Sequence, residues 1–150
     1  MLRRDVCIPD EIYKEAVLKG EEKGFADATV IKHFMEKHGV KIVHVKTHSI
    51  TALRKRVNKI LTKGDEAVLS VGLQEKVKEI VTDDDGLGKL AMTLGFDVRA
   101  TPDLLMEGLR ENRLSLQDFE VSLRELVIEN RLSSAVAELY ILEGRKNVKG

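Results

Sequence analysis

Two short extended runs separated by a helix-length segment constrain this chain more than any other feature. KEIVT (residues 78–82) and FDVRA (96–100) are β-prone, and DGLGKLAMTLG between them reads as a helix ending at Gly95. A hairpin closes within a few residues. A connection of this length is a crossover, which lays the two strands parallel. The preceding segment, DEAVLSVGLQEKV (65–77), is helical by the same reading, so the order is helix, strand, helix, strand. Helices between parallel strands cover both faces of a sheet, and the expected class is α/β.

The N-terminal half carries the same punctuation. DVCI (5–8) is a short β-prone piece stopped at Pro9, a residue pre-set for a first helical position, and Ile12, Ala16 and Val17 then form an apolar stripe. Gly20 and Gly24 break that helix. A second runs from about Ala26 through Val30, Ile31, Phe34 and Met35, with Gly39 as its C-cap. VKIVHV (40–45) alternates as a strand does. Ser49 is then expected to cap a helix carrying Ile50, Leu53, Val57, Ile60 and Leu61 and closed by Gly64. Beyond the second crossover, Thr101 reads as an N-cap with Pro102 behind it. Ser115 and Ser133 open helices at 115–130 and about 133–145 that pack on the rest. No repeat or linker divides residues 1–150, so one domain is expected, and a chain of this length buries roughly 68–70% of its unfolded surface.

Charge narrows the function classes less than it does for a basic protein. Lys+Arg and Asp+Glu are 25 each, so no global positive field points to nucleic acid, although a nuclease with an acidic site can also be neutral overall. The lone Cys7 has no partner for an internal disulfide, and nothing resembles a signal peptide or membrane span, which makes a cytoplasmic location the default.

The acidic residues fall at particular places. Asp83 and Asp84 follow the strand at 78–82, on the edge where open α/β sheets bind ligands. Asp65 and Glu66 open the helix before that strand, which starts at the edge where the strand finishes, and Glu15 follows the first β piece on the same side. Carboxylates converging there would form a hard oxygen site suited to Mg²⁺ or Mn²⁺. The competing reading is helix capping, because acids are favoured in first turns. A calcium loop is excluded by Val81 and Met92 at the ligand positions, and GLGK lacks the spacing of a P-loop.

The order CIPDEIYKEAV, KGDEAVLSVGL, EIVTDDDGLGKLAMTLGFDVRAT is similar to PIN domains, and more narrowly to prokaryotic predicted nucleic-acid-binding proteins that contain one. Ile8, Pro9, Ile12 and Glu15 match a strand leading into an Ile-Pro-x-x-Val-like helix with an acid. Gly64, Asp65, Glu66 and Ala67 match a Gly-Glu-rich helix start, and Asp83, Asp84, Leu94 and Gly95 match a strand ending in Asp-Asp before a helix closing in Leu-Gly. The resemblance covers residues 2–130. It implies a three-layer α/β/α sandwich around a parallel sheet, and a metal-dependent ribonuclease acting on single-stranded RNA. It also implies kinship with VapC-type toxins and their antitoxin partners. Glu15, Glu66 and Asp84 would be the metal-site and catalytic acids, with Asp65 and Asp83 as register alternatives and Thr82 orienting water or carboxylates. A catalytically impaired module that binds nucleic acid or protein is the alternative.

PIN domains open with a strand ending in Asp and a helix ahead of the Ile-Pro segment. Met1 to Asp5 supplies no such strand. Three resolutions are open: a start assigned too late, a strand contributed by a second copy in a homodimer, or a closed-up sheet with a degraded site.

His33, His38, His44 and His48 have no zinc-ligand spacing and read as surface or structural residues. RKRVNK, with Arg54, Lys55, Arg56 and Lys59, is a basic helix face that with Lys46 and Lys63 offers phosphate contacts to RNA, or simply a solvated surface. Leu123, Leu126, Val127, Leu132, Ala135, Leu139 and Leu142 give the last helices a core face, or a groove for a partner helix.

Overall fold

The computed structural model describes residues 5–149. The expectation that Met1 to Asp5 supplies no strand therefore lies, for residues 1–4, outside the described residues. The chain divides into two compact units, residues 1–78 and 79–150. Each contains one parallel strand pair joined by helical crossovers, so the α/β class and parallel pairing are present. Among the described residues the strands form two separate two-stranded ladders.

In the first unit, β1 (Cys7–Pro9) pairs with β2 (Lys41–Val43) in the register Cys7↔Lys41, Ile8↔Ile42, Pro9↔Val43. Pro9 ends the strand and also caps the following helix, so it sits one position earlier than its expected place inside that helix. The crossover begins with a continuous helical stretch: α1 (Asp10–Tyr13), a π-helical segment (Lys14–Leu18) and α2 (Lys19–Glu22). It continues through α3 (Ala26–His38). Gly20 does not break this stretch. A Cβ there would lie 2.7 Å from that of Ala28, so the glycine lets two helical segments touch. The break falls at Gly24, and Gly39, with φ of 64°, closes α3 as expected.

The next helices differ from the sequence reading at both ends. The helix α4 runs Thr47–Arg56 with Lys46 at its cap position, and Ser49 is buried inside its first turn. It stops at Arg56, where Val57 turns extended, and Ile60 beyond it is 101% exposed. Thr62 starts α5 (Lys63–Gln74), its hydroxyl accepting from Asp65 N–H at 3.2 Å. Gly64 thus lies in the first turn of α5 and packs toward Ile12 rather than closing α4.

In the second unit, β3 (Glu79–Val81), α6 (Asp85–Thr93) and β4 (Asp97–Arg99) form the crossover read from the sequence, in the register Glu79↔Asp97, Ile80↔Val98, Val81↔Arg99. Three helices follow: α7 (Thr101–Arg110), α8 (Leu116–Ile128) and α9 (Ser134–Lys149). Their core is Met106, Leu109, Phe119, Leu123 and Ile141. Gly144 lies so close to Phe119 that a Cβ would stand 2.5 Å from the ring. Arg145 clasps Glu120 through Nε (2.7 Å) and Nη2 (3.0 Å), joining α9 to α8 and holding the Glu120 carboxyl below its ordinary range. Tyr140 donates to Asp103 Oδ1 at 2.7 Å. Among the described residues no helix is long and apolar enough to cross a membrane.

Candidate functional site

The three consecutive aspartates of the second unit have three separate structural jobs. Asp84 is the N-cap of α6, its Oδ1 accepting from Leu87 N–H at 2.7 Å. Asp83 reaches across to the start of α7, where Thr101 donates its backbone N–H to Oδ1 (2.7 Å) and its hydroxyl to Oδ2 (2.6 Å). Thr101, expected as the cap of α7, is instead its first residue, and Asp83 satisfies its amide from outside the helix. Asp85 lies in the first turn of α6, where the macrodipole favours a carboxylate. Thr82 extends the ladder by donating its N–H to Arg99 O (2.9 Å), and its Oγ1 accepts from Asp84 N–H at 3.1 Å. Thr82 therefore sets the turn that presents both aspartates.

In the first unit, Asp65 and Glu66 occupy the first turn of α5. Arg54, in the last turn of α4, donates from Nε to Glu66 Oε2 (2.9 Å) and from Nη2 to Oε1 (3.0 Å). This fork engages both carboxylate oxygens and raises the Arg54 guanidinium still further above its ordinary value. The pair lines a cavity of about 520 Å³ together with Lys59 and Lys63, so three cations face one carboxylate there. Glu15 lies exposed in the π-helical segment that continues α1, and its carboxylate makes no hydrogen bond or ion pair among the described residues. Local π geometry often accompanies functional positions.

These arrangements bear on a resident divalent ion. A Mg²⁺ or Mn²⁺ site needs several oxygen ligands gathered around one point, and each carboxylate oxygen that accepts one hydrogen bond keeps a further lone pair. Glu66 gives both oxygens to Arg54, Asp83 gives both to Thr101, and Asp84 gives one to Leu87. Among the described residues no three His, Cys, Asp or Glu side chains gather in a way that could hold a metal. Within each unit, then, these acids do not gather into a metal-holding group.

The basic stretch is dispersed over different neighbours. Arg54 turns to Glu66, Lys55 lines a cleft on another side of α4, Arg56 ends the helix, and Lys59 lies in the connection to α5. The cleft measures about 860 Å³ and is lined by His44, Lys46, Thr47, His48, Thr51 and Lys55, with Ala52 beside them. Gln74, in the last turn of α5, fixes its rim. Its Oε1 accepts from Lys46 N–H (2.9 Å) and Ser49 Oγ–H (3.2 Å), and its Nε2 donates to His44 O (3.1 Å). A backbone N–H only donates and a carbonyl only accepts, so the amide has one workable orientation. His44 donates from Nδ1 to Asp10 Oδ2 at 2.7 Å, and this bond lowers the Asp10 pKa. The histidines and Gln74 were not singled out as site residues from sequence. The sequence reading put His44 inside the strand at 40–45, and no local signal marks Gln74, which acts on residues 25 to 30 positions away.

A family model described as a PIN domain matches residues 1–141. No curated protein and no solved structure matches the chain.

Proposed function

The chain belongs to the PIN-domain family, and from that premise we propose that it is a nucleic-acid-binding domain whose ligand is single-stranded RNA, bound without a resident metal ion. Nucleic-acid binding or nuclease-type action is what the family suggests. The observation that carries the choice of binding is the Arg54 fork on Glu66, which gives a proposed metal-site acid an internal cation in place of an external one. Fluorescence anisotropy with labelled single-stranded RNA in EDTA is the test. Saturable, salt-sensitive binding with the RNA left intact is the expected result, and absence of binding overturns the reading.

A second reading is a Mg- or Mn-dependent ribonuclease using Glu15, Glu66 and Asp84, with Asp65 and Asp83 as alternatives and Thr82 in support. It brings with it a toxin role, an antitoxin partner and a homodimer. One observation favours it: Asp84 lies in the turn that follows β3, at the carboxyl end where α/β sheets place their ligands, and Glu15 lies on the helical stretch that leaves β1. Calorimetric titration with Mn²⁺ separates the two. Saturable binding abolished by Asp84→Asn, together with Mn²⁺-dependent RNA cleavage, would carry this second reading over the first.

A further inference from the structure

The cleft at the N-terminal end of α4 has none of the proposed metal-site acids in its lining. It lies just past the carboxyl end of β2, and its lining contains no carboxylate. Thr47, His48, Thr51, Ala52 and Lys55 are spaced to share one face of α4, while Ser49 and Leu53 are buried on the opposite face. Among the described residues, the side chains of Lys46, His48 and Lys55 make no hydrogen bond or ion pair, in contrast to Arg54. The Thr47 and His48 amides, the first two of α4, add to the same positive field, whereas Lys46 N–H is taken by Gln74 and Ser49 N–H by Lys46 O. His44 is exposed, and its Nδ1 bond to Asp10 fixes the ring beside the cleft. Among the described residues Asp10 is the acid that bonds to this lining, through His44, and Lys14 stands 3.8 Å from it.

Two lysines and two imidazole rings on one open, shallow surface are the parts that single-stranded nucleic acid needs: cations for phosphates and flat rings for unpaired bases. We infer that this cleft is where the backbone of single-stranded RNA crosses the protein, with Lys46 and Lys55 against phosphates and His44 and His48 against bases. The inference rests on the RNA-binding reading and deepens it by assigning the surface. Gln74 is a positioning residue here, since it holds the His44–Lys46 rim without lining the cleft.

The test is anisotropy of a labelled single-stranded RNA with the full chain in EDTA over a series of salt concentrations. Three variants are compared with the unmodified protein. Lys46→Ala/Lys55→Ala removes the two phosphate contacts. Ala52→Glu places a carboxylate on the exposed cleft face of α4 while every native cation stays. Lys23→Ala/Lys37→Ala removes the same charge from residues of the same unit that do not line the cleft. The cleft double variant is expected to weaken binding roughly tenfold at low salt and to flatten the salt dependence by about 0.7 per lysine removed. Ala52→Glu is expected to weaken binding similarly, and the control pair to leave it within twofold. If the protein binds RNA and the cleft variants match the control pair, the cleft assignment is wrong and the RNA reading stands. If the unmodified protein binds no RNA, both fall.

Discussion

Asp83 accepts two hydrogen bonds from Thr101, one from the backbone N–H at 2.7 Å and one from the hydroxyl at 2.6 Å, and so joins the end of β3 to the beginning of α7. Asp84, one position on, turns to its own helix and caps Leu87. Neighbouring carboxylates that looked equivalent in sequence thus stabilise two different helices. Their mutual repulsion is offset by separate groups of N–H and O–H donors.

Alanine at each of the three aspartates should therefore have unequal effects. Asp83→Ala and Asp84→Ala are each expected to cost about 1 kcal/mol, the ordinary worth of a cap. Asp85→Ala should cost only about 0.3 kcal/mol, because its role is a first-turn charge with no side-chain bond among the described residues. Urea unfolding of the full chain measures the ranking, and equal costs at all three would contradict these assignments.

Gly144→Ala should destabilise the helical bundle by about 1–3 kcal/mol, the usual cost of forcing an atom into a packed core. The added methyl would meet Phe119 at 2.5 Å and Leu109 at 3.0 Å. Thermal melting followed by circular dichroism reads the loss. An unchanged midpoint would mean that α8 and α9 can separate without penalty.

Tyr140 should titrate far above an ordinary tyrosine, at about 12, through burial first and then its bond and proximity to Asp103. The folded state holds this proton more tightly than the unfolded chain does. Its stabilisation is therefore complete below pH 10 and is lost as pH rises through about 12. Ultraviolet titration of tyrosinate distinguishes it from Tyr13 when repeated on Tyr140→Phe. The high-pH transition should vanish in that variant.

Ile60→Ser should alter stability by no more than about 0.5 kcal/mol, as expected for a surface substitution. A helix extending to Leu61 would have made this isoleucine part of an apolar stripe, whereas it is fully exposed. A large loss in chemical denaturation would show that it is buried in solution.

The sequence was informative where a local rule decides the structure. The crossover from β3 through α6 to β4 followed from strand spacing, Gly39 from its cap position, and Ser115 from the serine that starts α8, where it accepts from Asp118 N–H at 3.0 Å. It was misleading where tertiary neighbours override periodicity. Ile60 continued a helical pattern on paper, but the backbone turns away after Arg56. It was silent on long-range polar contacts. Nothing near Arg54 announces Glu66, and nothing near Gln74 announces the rim of the cleft, because each contact depends on how α4 and α5 come together.

Those two contacts sit at opposite ends of one helix pair. Gln74, in the last turn of α5, grips the first turn of α4, and Glu66, in the first turn of α5, grips Arg54 in the last turn of α4. The helix α4 is thus a beam supported at both ends, with its free face spanning the gap between supports. A load on that face, such as a bound strand pulling on Lys55, is shared between the two supports and resists rolling about the helix axis. Cutting one support would leave a cantilever, and the amide protons of α4 would then exchange in a gradient that rises toward the released end.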